Sequence, residues 1–483
     1  NCRNLKNISY NNDLNIKVNN LKYAFYNCSS LDWINLNKFE MNESINISYA
    51  FYNCHTFQNI SINNGNFKIN DMRYLFYNNT SLEKVNIKFE TDLYDYYNMS
   101  YAFYNCKNLN DLEINDWLIK PNDMRSMFYN CSEMNFVKFI LKESDNNVNM
   151  TKMFFNCNKM KQIDFISNDN ENYYDPTDLH AMFYNCTNLT SVNLSHFKTN
   201  KVQDMSYMFY NCLNLEHFER DIHSNNSLLK TMRGMFQNCE KLTSFNLTEF
   251  NTSNVEIMWA LFKGCSNLNV INLSNFDTSQ VTDMESMFEG CSNLTTISFS
   301  FNTTKVQYMN KMFKDCINLK SVYFPNITTT SVGTMHQMFY NCQKLEYLNF
   351  YSLIDRGQSI IDMFKNASND FQICVKEHEN IPNIFDTIYN IENATRDCSN
   401  KCYPIERVEI TEKKYCCPKF KYLDKCYDQC PSKTKTNSTH NTTCNFFDCP
   451  YFYNYEQNNC VNTLPEKFFL NDTESKTIDK CHK

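Results

Sequence analysis

A phenylalanine recurs along this 483-residue chain at Phe25, Phe51, Phe76, Phe103, Phe128, Phe154, Phe183, Phe209, Phe236, Phe262, Phe288, Phe313, Phe339 and Phe364, at intervals of 25 to 29 residues. Twelve of the fourteen are followed three residues on by Cys. A fixed period of this size marks a solenoid of stacked supersecondary units, none of which buries its apolar face alone. It rules out a compact globular enzyme for most of the chain.

One repeat shows the internal pattern. In LTSVNLSHFKTNKVQDMSYMFYNCLNL, Leu189, Val192 and Leu194 alternate with polar residues as in a short strand. A Lys/Thr/Asn connection follows, and Asp204 can cap the next turn with its carboxylate. Met205, Met208, Phe209 and Cys212 then fall at i, i+3, i+4 and i+7, which predicts one face of a short helix. Leu215 opens the next strand. The expected fold is an α/β solenoid of the leucine-rich-repeat type.

The segments DMSYMFYNCLNLEHF, TDMESMFEGCSNLTTISF and FNTSNVEIMWALFKGCSNLNVINLSNFDTSQVTDM resemble the BspA-like leucine-rich repeats of microbial surface proteins. The resemblance covers roughly residues 20–370. It implies a leucine-rich-repeat fold, display at the cell surface, and adhesion to host or matrix proteins or between cells. Asn79 and Ala367 stand where the pattern has Cys, and NDNENYYDPTD is inserted between Phe154 and Phe183.

Strands pair about 4.8 Å apart while helices pack about 8–10 Å apart. A coil of one strand and one helix therefore predicts a curved array, with short parallel strands inside and short helices outside. The organisation expected is an N-terminal cap over 1–20, about fourteen coils over 21–373, a terminal strand and linker over 374–397, and a small disulfide-rich module over 398–483.

The 24 cysteines divide into two populations. Cys28, Cys54, Cys106, Cys131, Cys157, Cys186, Cys212, Cys239, Cys265, Cys291, Cys316 and Cys342 occupy one repeat position. They are expected to be buried free thiols in a stacked column, since a disulfide needs Cα atoms within about 7 Å. The density of Cys398, Cys402, Cys416, Cys417, Cys426, Cys430, Cys444, Cys449, Cys460 and Cys481 instead indicates a disulfide-stapled module of unknown pairing. It loosely resembles growth-factor-receptor-like cysteine-rich modules through Cys426, Cys430, Pro431 and DCPYFYNYEQNNC. Cys2 and Cys374 remain: either unpaired, Cys374 being a core residue, or joined between molecules. A head-to-tail contact of that kind would cover both solenoid ends and could propagate into filaments.

A net charge of −7 with interspersed signs gives no basic stripe and no support for nucleic-acid binding. No apolar run is long enough to span a bilayer. The opening at Asn1 implies a leader already removed, and any membrane attachment would be through an anchor outside this chain. Asn makes up about a sixth of the chain and forms about 25 N-x-[ST] sequons, in part a product of biased base composition and of the repeat itself. In a secreted eukaryotic protein exposed sequons accept N-glycans. Candidates are Asn7, Asn42, Asn46, Asn59, Asn98, Asn149, Asn193, Asn225, Asn246, Asn251, Asn272, Asn302, Asn326, Asn393, Asn437, Asn441 and Asn471. Asn27, Asn130 and Asn185, each next to a repeat Cys, lie too close to the expected core.

No catalytic, cofactor or metal constellation emerges. The nine His share no repeat position, and six Gly cannot build a phosphate-cradling loop. Trp259 within MWALF reads as core. The outward strand column is expected to run Asn35, Ser61, Asn86, Glu113, Lys138, Asp164, Asn193, Glu219, Asn246, Asn272, Ser298, Tyr323, Asn349. It is polar and lacks the clustered aromatics and Arg of a protein-binding patch. The sequence thus favours a non-enzymatic extracellular or surface glycoprotein with a structural or adhesive role. Its partners would be itself, head to tail, or surface and matrix proteins and glycans. The alternative is a ligand-recognition ectodomain that binds through the concave strand face.

Overall fold

The computed structural model describes residues 2–375 apart from 9–15, 37–38, 41–43, 63–67, 88–95, 114–119, 142–146, 168–172, 221–225, 247–249, 274, 299–300, 325–326, 351–358 and 370, and beyond 375 only seven short strands. The chain is a parallel-strand solenoid, and each coil contributes two strand positions and one run of turns. The first strand position is paired in sections: Asn59–Ile62, Lys84–Ile87 and Asp111–Glu113 form one sheet, Phe136–Leu141, Gln162–Ser167, Ser191–Leu194 and His217–Arg220 a second, and two further sheets carry the position on to Gln372–Val375. Its pairing register sets Val137 beside Ile163 beside Val192, all buried, and Lys138 beside Asp164 beside Asn193 on the opposite face. The alternation of apolar and polar residues selects this register, because a one-residue slip would expose the whole apolar column.

The second strand position forms a six-stranded parallel sheet of Ser44–Asn46, Lys68–Asp71, Tyr96–Asn98, Lys120–Asp123, Asn147–Asn149 and Asp175–Asp178. The last of these lies in the inserted segment. From Asp204 onward the same ladder thins to single bridges at Thr231, Ile257, Asp283, Tyr308, Thr334 and Ser359.

The run from Met to Cys differs from the sequence-based expectation. Among the described residues it is never helical; it is a chain of tight turns. In the coil at Phe103, the amides of Ala102, Tyr104 and Cys106 bond to carbonyls three residues back in their own coil. Those of Tyr101, Phe103 and Asn105 instead bond to Arg125, Met127 and Tyr129 of the next coil, at 2.7–3.0 Å. Two residues per coil take left-handed φ to make this possible, here Tyr101 at 59° and Asn105 at 61°. A helix would satisfy all its amides within itself and hold neighbouring coils apart; here alternate amides are spent on holding coils together. Both faces therefore advance by about one strand spacing per coil. The spacing mismatch that was expected to curve the solenoid does not arise.

All fourteen repeat phenylalanines stack in one unbroken ladder, with successive centroids 5.2–5.8 Å apart. Methionines and leucines of the repeat fill the core on either side. Such parallel-offset pairs each contribute about 0.5–1.5 kcal/mol beyond area burial. Every repeat cysteine after Cys28 points its thiol at the carbonyl of the preceding coil's Phe, as Cys106 does to Phe76 at 3.1 Å. That carbonyl already accepts one amide in most coils, so the thiol occupies its second lone pair. A residue of Cys volume with one weak donor fits this position, and the repetition follows from it.

In register Cys374 pairs with Asn349 and Ile373 with Leu348. Thr395–Arg396 adds a further parallel strand beyond it. Of 398–483 the structure describes three antiparallel strand pairs, the first joining Phe420–Tyr422 to Lys425–Tyr427. The pairing of the ten tail cysteines lies outside the described residues.

Candidate functional site

The strand column expected as a binding face is present as a column: Ser61, Asn86 and Glu113 pair in sequence, as do Ser298, Tyr323 and Asn349. It is short of aromatic residues and carries no arginine, and Asn349 is buried. The clustered Tyr and Arg lie elsewhere, on the turn face, where sequence reasoning had not placed them.

There the residue after each repeat Phe forms a second aromatic ladder: Tyr26, Tyr52, Tyr77, Tyr104, Tyr129, Phe155, Tyr184 and Tyr210, with centroids 4.3–4.8 Å apart. The residue two before the Phe forms a third, Tyr23, Tyr49, Tyr74 and Tyr101, at 4.7–4.8 Å. Rings of the two ladders touch within each coil, at 5.6–5.9 Å. The rings cover one another's faces and turn their edges outward, so the surface is apolar and studded with phenols. Burial, then the neighbouring phenols, raises the pKa of Tyr49, Tyr52, Tyr77 and Tyr104, that of Tyr104 to about 12.

The third ladder is costly. Tyr23, Tyr49, Tyr74 and Tyr101 all have φ of 56–59°, a region in which bulky residues are outliers costing about 1–2 kcal/mol. In later coils the position holds Ser126, Lys152, Ala181, Tyr207, Gly234, Ala260, Ser286, Lys311, Gln337 and Asp362, so the left-handed turn belongs to every coil. What sets the first four coils apart is the unbroken run of stacked tyrosines there.

The preceding column supplies charge. Arg73 and Arg125 flank the tyrosines and pair with Asp71 and Asp123 at 2.9 and 2.7 Å. These acids belong to a column that alternates Asn46, Asp71, Asn98, Asp123, Asn149 and Asp178, which keeps like charges two rungs apart. Each side chain accepts the amide two residues on, as Asp204 accepts Ser206 at 2.6 Å. The cap expected at Asp204 is therefore present, on a turn. The alternation breaks where Asp178 meets Asp204, and there His180 Nδ1 faces Asp204 Oδ2 at 3.4 Å.

The same column places three candidate sequons. Asn46 and Asn98 accept from both the amide and the hydroxyl of Ser48 and Ser100, and Asn149 from the Thr151 amide. Ser48 and Ser100 are buried, and Asn46 Nδ2 bonds Asp71 at 3.3 Å. Asn193 and Asn302 make the same bonds, to the Ser195 amide and to the Thr304 amide and hydroxyl, so what sets Asn46, Asn98 and Asn149 apart is that they are half-buried. Asn7, Asn59, Asn193, Asn272 and Asn302 are exposed, and Asn251 is half-buried. Asn42, Asn225, Asn326, Asn393, Asn437, Asn441 and Asn471, and the side chain of Asn246, lie outside the described residues. Asn130 and Asn185 belong to a side-chain amide ladder at the second left-handed position, each bonding its predecessor, Asn105 and Asn156 respectively, at 2.5 and 3.0 Å.

The twelve repeat cysteines are buried and unbridged. From Cys54 onward burial pushes the repeat thiols up, to about 12 for Cys54, Cys186 and Cys265. They are placed as packing residues, away from reactive chemistry. Trp259 is half-buried on the turn face with the Arg233 guanidinium 4.5 Å above its ring, a correction to its reading as core. The described residues contain no cluster able to hold a metal ion and no helix long and apolar enough to cross a membrane.

Residues 1–100, 45–175 and 96–215 match the BspA type leucine rich repeat region. Residues 177–272, 230–349 and 258–378 match the family described as Mycoplasma protein of unknown function, DUF285. The repeat of this chain is BspA-like. Similar solved structures include a leucine-rich repeat protein from Bacteroides ovatus, 16% identical over 72% of this chain and 79% of that one, with a TM-score of 0.36. A leucine rich cell surface protein from Faecalibacterium prausnitzii is 17% identical over 72% and 86%, with a TM-score of 0.36. Pneumococcal vaccine antigen PcpA is 14% identical over 74% and 92%, with a TM-score of 0.32. No curated protein matches.

Proposed function

We propose that the protein is a non-enzymatic, surface-associated adhesive repeat protein that engages its partner through the tyrosine-rich turn face of its N-terminal half. The observation carrying this reading is the double tyrosine ladder flanked by Arg73 and Arg125. Tyr and Arg dominate the energetics of protein interfaces, because they bury much area at low entropic cost and keep a polar tip. The BspA-like repeat and the exposed sequons support a location outside the cell. The polar strand face, by contrast, suits solvent or glycan.

Beads coated with the chain, offered to cells and to immobilised matrix proteins, test this. Replacing Tyr49, Tyr74 and Tyr101 with Gly removes the rings at positions whose φ Gly accepts freely. Adhesion should fall at least tenfold, while Asn193→Lys and Glu219→Lys on the strand face should leave it unchanged, a tenfold loss being about 1.4 kcal/mol. Equal adhesion by the tyrosine variant would remove the proposal.

A further inference from the structure

The repeat distance of the turn face constrains what can lie on it. Eight aromatic rungs advance by 4.3–4.8 Å each. To meet every rung, a partner must present groups at that same interval over about 33 Å, which is the spacing of parallel strands. An ordinary globular surface has no such translation. The turn face of a second copy has it by construction, because both copies are held to the interval by the same hydrogen bonds between coils.

Resting on the turn-face reading, we infer that the partner is a second copy of this chain, packed turn face to turn face about a twofold axis. The chemistry is self-complementary. Phenol edges such as those of Tyr52, Tyr77 and Tyr104 are apolar, and each hydroxyl both donates and accepts. Arg73 and Arg125 on one copy come over tyrosines on the other, a cation–π geometry this chain already uses between Arg233 and Trp259. The two halves of the solenoid also differ. From Gln237 onward the outer ladder position is mostly charged, with Lys263, Glu289, Lys314 and Lys365 and one tyrosine, Tyr340, and Lys263 pairs with Glu289 at 2.9 Å.

The strip is two rings wide over four rungs and one ring wide over the other four, so it buries about 350 Å² per copy, or about 700 Å² in all, the size of a weak contact. The dimer is accordingly weak singly and strong in arrays. An antiparallel overlap of N-terminal halves sends the two C-terminal segments in opposite directions. Copies carried on two facing surfaces would meet in this way, which makes the adhesion homophilic.

Sedimentation velocity of the full chain over a wide concentration range is the test, with circular dichroism as the check on folding. The wild type should move from monomer to dimer as concentration rises. The Tyr49→Gly, Tyr74→Gly, Tyr101→Gly variant should stay monomeric. Lys311→Gly with Gln337→Gly, which changes the same left-handed position in the C-terminal half, should dimerise like the wild type. A wild type monomeric throughout, or a tyrosine variant that dimerises equally, overturns the inference. If that monomeric wild type still adheres to cells in a tyrosine-dependent way, the homophilic partner is wrong and the turn-face reading stands.

Discussion

Asn79 gives a sharp test of the column of thiols. It stands at a Cys position, fully buried, and its Oδ1 accepts the Cys54 amide at 2.7 Å. Its Nδ2 is buried and has no hydrogen-bond partner. A buried unpaired amide donor costs about 1–3 kcal/mol. In Asn79→Cys that donor disappears, and the thiol gains the Phe51 carbonyl as its acceptor, the bond its homologues make. The Cys54 amide returns to the turn bond its counterparts form, a near-neutral exchange. The net expectation is a gain of about 1–2 kcal/mol, which is a factor of about 5–30 in local opening. A solenoid unfolds locally, so hydrogen exchange is the assay: amides from Phe51 to Phe103 should exchange more slowly by that factor, and distant coils should not change. Unchanged or faster exchange in these coils would show that the position does not ask for a thiol, and the account of the column would fail.

Other outcomes follow from the same geometry. Glycopeptide mapping of native material should find glycan at the exposed Asn193, Asn272 and Asn302 and none at the half-buried Asn46, Asn98 or Asn149; glycan at the last three would contradict their burial beside Ser48, Ser100 and Thr151. Alkylation of the folded protein at pH 9 should spare the repeat thiols, which are buried and, from Cys54 onward, raised in pKa by that burial, and denaturation should release about twelve. On the alkaline side, the raised phenol pKa values mean that the neutral ladder stabilises the fold below pH 10 and that this contribution is lost as pH rises toward 12, visible as cooperative tyrosine ionisation with unfolding. At Asp204 burial pushes the pKa up, but the facing His180 side chain, 3.4 Å away, and the Ser206 bonds outweigh it and the net shift is downward. Its stabilising contribution is therefore present above the ordinary carboxylate pKa and disappears as pH falls through the lowered one; Asp204→Asn should flatten that part of the acid-denaturation curve.

The period, the apolar strand residues and the polar strand column were all legible, because strand alternation and a fixed repeat leave one consistent register. The turn face was not. Met205, Met208, Phe209 and Cys212 satisfy helical spacing, yet the same spacing fits consecutive tight turns in which those four side chains face inward. The discriminating signal was the pair of left-handed positions. Asn recurs two residues after the repeat Phe, and Gly264 and Gly290 replace it there. Asn exchanging with Gly marks a positive φ, which a helix interior does not tolerate. Missing that, a helix reading scatters Tyr74 and Tyr77 around an outer surface, whereas the turns align them in adjacent ladders.

Hydroxyl-radical footprinting of the chain, free and then bound to the surface it adheres to, tests the central claim most directly. Protection is expected at Tyr49, Tyr52, Tyr74, Tyr77, Tyr101 and Tyr104, with Tyr323 on the strand face as reactive as before. Protection of Tyr323 and its strand column, with the turn-face tyrosines still reactive, would place recognition on the strand face and contradict the account.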